Sequence, residues 1–372
     1  MDIHRSDTVV VFSVLMIEGS PSVTAVESKR PSNLPADRAG KTATPVVYWA
    51  VAGAALLAFQ IYVLGRWVTG PNFKRTEPAP GADISAGQEF YFLALQVIVP
   101  IAMVICLYWW VVRPCRAQKT FTTDAMIATS AVMIFFWDLN MNYTSTSLLY
   151  NAHFFNRGSW SNGSWPGWTS PGGELLPEPL FLVIPGYTVL VFGQVVFILW
   201  LLRKAQARWP GMGMLGKLAT IVLGLTIVDT IIEVALIRTG VYAYPGAIRQ
   251  ITLFAGQTYQ MPLSESLFFS GISLGAVAAL SHFRDDRGRT VVERGLQQLS
   301  LSTKQKQTVK FLAIFGAVHL AYLVFYMVPN QWLATHSDAF PAGYPSYMIN
   351  NMCQAGLDGK TCPGPGVPIP RP

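Results

Sequence analysis

Acidic residues stand inside apolar runs of this sequence. Asp138 lies in VMIFFWDLNMNY, and Asp229 and Glu233 lie in IVLGLTIVDTIIEVALI. Charged side chains at membrane depth are costly, so such residues usually face the interior of a helix bundle and indicate a functional site. Asp229 and Glu233 are one helical turn apart; they repel each other, and burial favours protonation of at least one. A neutral carboxylic acid beside an ionised partner suits general acid and base catalysis, so we predict that Asp138, Asp229 and Glu233 are catalytic.

The composition is that of a membrane protein. Of the 372 residues, 51% are hydrophobic and 13% are charged, whereas roughly 25% of the residues in a soluble domain are charged. A run of ~20 apolar residues crosses the hydrocarbon core of a bilayer. We therefore predict an all-α integral membrane protein with about seven transmembrane helices in one bundle. The predicted spans lie near 47–68, 90–112, 126–146, 180–202, 217–237, 262–282 and 310–328.

The distribution of Lys and Arg predicts the orientation of these spans. The basic residues are concentrated in alternate flanks, near 29–41, 113–119, 203–217 and 284–310. Because cytoplasmic loops carry an excess of Lys and Arg, we place the N-terminus in the cytoplasm and the C-terminus outside the plasma membrane. The formal net charge of +7 is then mostly an orientation signal. No nucleic-acid partner is predicted, since the basic residues are spread over four flanks without a recognition motif.

The spans form one membrane domain, residues 46–328, between two tails. Residues 1–45 are polar and contain Pro and Ser, which predicts a disordered cytoplasmic tail. Residues 329–372 are predicted to form an extracytoplasmic tail. A disulfide between Cys353 and Cys362 is permitted there, because that environment is oxidising.

The longest predicted outer loop, residues 147–179, has an unusual composition. It places Trp160, Trp165 and Trp168 among Gly, Ser and Pro residues. Trp is favoured at the membrane interface, and Gly and Pro favour specific turns over a helix. We expect an ordered re-entrant or capping loop that excludes water from a site beneath it. A simple interfacial anchor is the alternative.

Further polar groups converge on the outer half of the predicted bundle, judged from a rise of ~1.5 Å per helical residue. Asn142 follows Asp138 by one turn on the same helix face. Glu178 and Glu265 stand where two spans begin, and capping of these helices is their alternative role, since the helix dipole favours a carboxylate there. His153 could transfer protons at neutral pH or be a surface residue. The predicted substrate-binding residues are Asn142, His153, Arg157, Glu178, Arg238, Glu265, Trp160 and Trp168.

One stretch of the sequence resembles a known family. The run WDLNMNYTSTSLLYNAHFFNRGSWSNGSWPGWTSPGG, followed by LPEPLF, occupies residues 137–181. It resembles the AveC-like spirocyclases, membrane proteins named for the enzyme that forms the spiroketal of avermectin. The polar segments VDTIIEVALIRTGVYAYPG and MPLSESLFFSG add to the resemblance.

The resemblance implies that a lipophilic, polyketide-like dihydroxy ketone is cyclised to a spiroketal, with dehydration in some members. Such chemistry requires no cofactor and no metal ion, and none is predicted. From their chemistry we assign Glu233 as the acid and Asp229 as its partner. Asp138 is assigned as the base or as the group that stabilises an oxocarbenium ion, with Asn142 orienting hydroxyl groups. The predicted partners are a lipophilic small molecule and the lipid bilayer, with no prediction for the oligomeric state.

Two other functions are compatible with the same residues. In a membrane-embedded terpene or isoprenoid cyclase, Asp138, Asp229 and Glu233 would bind magnesium for a diphosphate or protonate an alkene. Against the metal-dependent form, the chain has no compact Asp-rich motif. A transporter or binding protein for a lipophile would also retain intramembrane carboxylates, but the sequence has no inverted repeat of the kind many transporters contain.

Overall fold

The computed structural model describes residues 44–78, 81–161, 163–170, 176–338 and 340–350. This part of the chain is mostly helical. The long helices are α1 Pro45–Thr69, α2 Ala86–Gln118, α3 Thr123–Val132, α4 Leu180–Arg208, α5 Met214–Arg238, α6 Leu263–His282 and α7 Thr303–Ala334, followed by a short α8 Ser346–Ile349.

Six helices within the described residues are long and apolar enough to cross a membrane, namely α1, α2, α4, α5, α6 and α7. They coincide with six of the predicted spans, which confirms a multi-pass helical membrane protein. The remaining predicted span, near 126–146, contains α3 and is not one of these six. Its crossing of the membrane, and with it the orientation of the termini, stays a prediction.

The segment at this position is a buried helical rod. A 3₁₀-helix over Met133–Asn142 continues directly from α3. With rises of about 1.5 Å and about 2.0 Å per residue, the two parts together extend over about 35 Å. Met126, Ile134 and Phe136 are fully buried. The rod is therefore enclosed by the other helices, which explains how it tolerates polar residues that lower its hydropathy.

Glycines allow α1 and α7 to pack closely. A Cβ atom added at Gly53 would overlap the carbonyl oxygen of Leu312, and one added at Gly316 would overlap that of Trp49. The backbones of the two helices are thus in direct contact. Small residues permit this close approach between membrane helices.

Four of the long helices contain π-helical turns. One lies in α2, and the other three lie in the helices that surround the candidate site described below. Such turns interrupt the regular α-helical progression and are frequent at functional sites. They span Tyr108–Val112 in α2, Tyr187–Phe192 in α4, Ser266–Leu274 in α6 and Leu323–Met327 in α7.

Two short strand pairs close one end of the bundle. The strands are β1 Leu149–Tyr150, β2 Tyr242–Ala243, β3 Thr252–Leu253 and β4 Met261–Pro262. β1 pairs with β2 in antiparallel fashion, with Tyr150 opposite Tyr242. β3 pairs with β4 in the same way. The first pair joins the start of the 147–179 loop to the segment after α5.

The chain ends differ in part from the predicted tails. α7 extends to Ala334, beyond the predicted end of the last span. In the following segment, Met348 is buried against Leu149 and Leu176, and the Asp338 carboxylate accepts a hydrogen bond from the backbone of Arg249 at 2.8 Å. This part of the predicted C-terminal tail therefore packs on the bundle.

Two predictions fall on residues that the structure does not describe. These are the disordered tail, for residues 1–43, and the disulfide between Cys353 and Cys362, which both lie outside the described residues. Both remain predictions.

Candidate active site

A cavity of about 680 Å³ lies inside the bundle. Four acidic residues line it, and all four are among the residues predicted from the sequence: Asp138, Asp229, Glu233 and Glu265. Asp138 comes from the 3₁₀-helix after α3, Asp229 and Glu233 from α5, and Glu265 from the first turn of α6. Elements distant in sequence therefore bring the predicted carboxyl groups to one site.

Asp138 lies at the centre of a hydrogen-bond network. Its Oδ2 accepts from the Tyr150 hydroxyl and its Oδ1 from the Tyr187 hydroxyl, both at 2.8 Å. The Tyr187 hydroxyl is also 3.3 Å from that of Tyr322. Two phenol donors thus converge on one carboxyl group and fix its orientation.

Glu178 belongs to the same network, although it does not line the cavity itself. It is 2% exposed and hydrogen-bonds Asp138. Burial, together with the neighbouring Asp138 charge, raises the pKa of Glu178 well above its ordinary value. Because two buried carboxylates in contact cannot both be ionised, we assign the proton to Glu178, which donates a hydrogen bond to Asp138.

Asp229 is held by side chains of two other helices. It is 1% exposed, and its Oδ1 accepts from Gln194 Nε2 at 2.9 Å and from the Ser270 hydroxyl at 2.8 Å. The Ser270 hydroxyl is also 3.2 Å from Gln194 Oε1. These contacts fix the Asp229 carboxylate between α4 and α6.

Glu233 is the most accessible carboxyl group of the site. It is half-buried, and its Oε2 accepts from the Tyr244 hydroxyl at 2.8 Å. Tyr242 also interacts with it. Burial, and next the Glu233 charge, raises the pKa values of Tyr242 and Tyr244 well above the ordinary phenol value, so both phenols stay protonated as donors.

Glu265 completes the acidic lining from the side of α7. Its Oε1 accepts from the Tyr326 hydroxyl at 2.5 Å. Helix capping was the alternative for this residue, and the carboxylate instead contacts a side chain of another helix. Each of Asp138, Glu233 and Glu265 is therefore hydrogen-bonded to at least one phenol.

The sequence reasoning missed these tyrosines and Gln194. A usable signal existed for Tyr187, Tyr322 and Tyr326, because a buried phenol in an apolar helix usually requires a hydrogen-bond partner. Tyr322 and Tyr326 are also one helical turn apart on a single face of α7. Tyr150 and Tyr242 gave no comparable signal, since a strand pair that the sequence did not predict brings them together.

Two of the predicted substrate-binding residues, Asn142 and Trp160, maintain the structure away from the cavity. Asn142 Oδ1 accepts from the backbone amides of Ser147 and Leu148, both at 2.8 Å, so it shapes the turn after the 3₁₀-helix. Trp160 is fully buried, and its indole donates to the Phe136 carbonyl at 2.9 Å. Neither residue lines the cavity.

Trp168 packs edge-on against Tyr143 and Trp165, with ring centroids 5.5 and 5.9 Å apart. It does not line the cavity.

His153, Arg157 and Arg238 also lie away from the cavity. The ring of His153 donates through Nε2 to the Ala82 carbonyl oxygen at 2.7 Å. The guanidinium of Arg157 lies over the ring of Phe155 at 5.6 Å, and that of Arg238 over the ring of Tyr259 at 3.9 Å. The arginines thus interact with aromatic faces, and we do not include these three residues in the site.

The donor groups of the site do not form a metal-binding set. Among the described residues, no group of three or more His, Cys, Asp or Glu side chains is arranged to hold a metal ion. The metal-dependent form of terpenoid cyclisation therefore has no identified ligand set in this part of the chain.

The comparison with protein families assigns the chain. The model of the family described as spirocyclase AveC-like matches residues 118–349, which is more than half of the sequence. The chain belongs to the AveC-like spirocyclase family. Membership supports a cyclase-type enzyme and a role in polyketide secondary metabolism. The match extends from just before α3 to α8 and so includes every residue of the site described above. Neither the curated proteins nor the solved structures gave a significant match.

Proposed function

We propose that this AveC-like protein cyclises a lipophilic dihydroxy ketone to a spiroketal by acid and base catalysis, with loss of water, in the plasma membrane. The observation that carries the proposal is a cavity that combines Asp138, Asp229, Glu233 and Glu265 with phenols and apolar walls. A substrate dissolved in the bilayer would match the apolar part of such a wall.

The first step forms a hemiketal. One substrate hydroxyl adds to the ketone carbon, a C–O bond forms, and the π bond of the carbonyl group breaks, so that its electrons pass to the carbonyl oxygen. The former carbonyl oxygen takes up a proton, for which the protonated Glu233 is the accessible donor. This transfer leaves Glu233 ionised, and the proton released by the attacking hydroxyl restores it.

The second step removes water. Glu233 protonates the hemiketal hydroxyl, the C–O bond breaks, and an oxocarbenium ion and one water molecule result. Asp138 is suited to stabilise this cation, because the hydroxyl groups of Tyr150 and Tyr187 donate to its two carboxyl oxygens and hold them in place. Preorganised charge of this kind, directed at a developing charge, is usually the largest contribution to catalysis.

The third step closes the second ring. The other substrate hydroxyl attacks the oxocarbenium carbon and transfers its proton to the Glu233 carboxylate. The acid is thereby regenerated, and the net change is the loss of one water from the dihydroxy ketone. Asp229 lies one turn from Glu233, and its negative charge would favour retention of the Glu233 proton between turnovers.

The experiment that tests this function uses the purified protein in nanodiscs with a long-chain synthetic dihydroxy ketone. Mass spectrometry should detect a product lighter by one water, formed faster than in empty nanodiscs. Glu233→Gln should lower this rate by about 10²–10⁴-fold, the usual contribution of general acid and base catalysis.

The matched control is Glu77→Gln, since the Glu77 side chain is 66% exposed and lies outside the cavity. A Glu233→Gln variant as active as the Glu77→Gln control would contradict the assignment of the acid. Retention of unchanged ketone by the wild-type protein would favour a binding or transport role.

A second candidate function is terpenoid cyclisation started by protonation of an alkene. The aromatic rings of Tyr187, Tyr242, Phe269 and Tyr326 line the same cavity, and aromatic faces attract cations. This reaction conserves the mass of a polyene substrate. Conversion of a polyene to an isomer of equal mass, without conversion of the dihydroxy ketone, would select it.

A further inference from the structure

A second cavity adjoins the catalytic one. It has a volume of about 350 Å³ and shares three wall residues with the first cavity, namely Met141, Tyr244 and Glu265. It lies between the end of α7 and the segment after β2, at the capped end of the bundle. The two spaces therefore adjoin at these three residues.

The lining of this second cavity is suited to water. Asn330 lines it and is 9% exposed, and its Nδ2 has no hydrogen-bond partner among the described residues. A buried amide donor without a partner is unfavourable, so such groups are normally satisfied by protein or by ordered water. Ser147, Ser264 and Glu265 add polar groups to the same wall. A polar space of this size meets the conditions for bound water.

The residues at the boundary have the geometry of a gate. The Tyr326 hydroxyl donates to Glu265 Oε1, so the second carboxyl oxygen can accept a hydrogen bond from water. The Tyr244 hydroxyl donates to Glu233, while its backbone carbonyl is fixed by Gln260 at 2.9 Å. Tyr244 thus contacts the acid of the catalytic cavity and borders the second cavity at the same time.

We propose that the second cavity is a water-filled passage through which the water released by cyclisation leaves, with Glu265 and Tyr244 at its entrance. This inference rests on the proposed dehydrative function. A water molecule retained beside the oxocarbenium ion would recapture it and reverse the reaction, while the bound substrate fills the catalytic cavity. A separate polar route removes that water from the catalytic cavity.

The hydration of the passage can be measured without any catalytic assay. In a variant with its cysteines replaced by serine, the new cysteines Asn330→Cys and Ala247→Cys probe the second cavity. Leu267→Cys is the control. Leu267 is exposed on the outside of a membrane-spanning helix, where it would face lipid and not water. It lies four residues from one end of α6, as Asn330 does in α7. The reagent is a water-soluble methanethiosulfonate applied to the protein in nanodiscs.

Both cavity positions should react at least about tenfold faster than the control, because a thiol reacts as its thiolate, which requires hydration. Reaction no faster than at Leu267→Cys would overturn the inference. This outcome is independent of whether the protein is a cyclase.

The link to catalysis is tested by filling the passage. Ala247→Phe should lower kcat for cyclisation by about tenfold with little change in KM, because water release would become rate-limiting. The control is Ala235→Phe, at an exposed position on α5. An unchanged kcat in an Ala247→Phe protein whose cavity is filled would overturn the inference. An inactive wild-type protein would instead refute the proposed function, while the labelling result would stand.

Discussion

Replacing Tyr187 by Phe tests whether the phenols maintain Asp138 as the charged group of the site. The Tyr187 hydroxyl donates to Asp138 Oδ1 at 2.8 Å, and the substitution removes only this oxygen. The ring can keep its edge-on contact with Phe269, at a centroid separation of 6.4 Å. A hydrogen bond to a charged group contributes about 1.5–3 kcal/mol.

The expected magnitude follows from what remains around the carboxylate. Tyr150 still donates to Oδ2, so we take a loss near the lower part of that range, about 2 kcal/mol. If all of it stabilises the oxocarbenium transition state, Tyr187→Phe lowers kcat by about 30-fold, because 1.36 kcal/mol corresponds to a factor of ten. Tyr48→Phe is the control, since Tyr48 is 67% exposed, and it should leave kcat unchanged.

A double-mutant cycle with Asp138→Asn distinguishes an effect through Asp138 from a general loss of packing. The assay is the rate of conversion of the dihydroxy ketone in nanodiscs, measured for the wild type, both single variants and the double variant. If Tyr187 acts through Asp138, its substitution has little further effect once Asp138 is Asn. Independent, additive losses would refute the reasoning, as would a Tyr187→Phe protein with the kcat of the Tyr48→Phe control.

The remaining predictions concern the stability of the bundle, measured by thermal unfolding in micelles. Gly53→Ala should destabilise the protein by about 1–3 kcal/mol through overpacking. Gly65→Ala on the same helix should not, because nothing lies within 4 Å of its added Cβ. A larger loss of stability in Gly65→Ala than in Gly53→Ala would contradict the α1–α7 contact. In the wild type, Lys310 Nζ lies 2.8 Å from the buried Glu293 carboxylate. Lys310→Met should lower the free energy of unfolding by about 3–5 kcal/mol, because it leaves this carboxylate without its counter-charge. The double variant with Glu293→Gln should recover part of the loss, and no recovery would argue against the ion pair. Since the folded pKa of Glu178 is raised by burial and an adjoining carboxylate, its contribution to stability is complete below the unfolded pKa and is lost as the pH rises through the folded pKa. Glu178→Gln should therefore reduce the decline of stability as the pH rises above the unfolded pKa of the glutamate. Parallel declines in the wild type and the variant would exclude this role.

The predicted carboxyl groups came together because their depth in the bundle can be estimated from the sequence. A helical rise converts a residue number into a height, and a carboxylate inside an apolar run must face the interior of the bundle. For Asp138, Asp229, Glu233 and Glu265 these two constraints were sufficient to place them on one cavity.

Arg157, Arg238 and Asn142 do not line the cavity, for two physical reasons. The sequence does not give the direction of a side chain in a loop, as for Arg157, or at a helix end, as for Arg238, and both guanidinium groups lie over aromatic rings instead. The segment that carries Asn142 is a 3₁₀-helix, which has about three residues per turn, so the position one α-helical turn beyond Asp138 no longer lies on the same face.

The membrane class, six of the spans, the acidic character of the site and the family resemblance could all be predicted from the amino-acid sequence. These properties depend on composition and on short-range patterns, which the order of residues records directly. Only the tertiary structure decided which phenol binds which carboxylate, as in the pairs Asp138–Tyr187 and Glu265–Tyr326, which join residues 49 and 61 positions apart. Such contacts depend on how the helices are rotated and on where their π-helical turns fall, and both are set by the packing of the whole bundle.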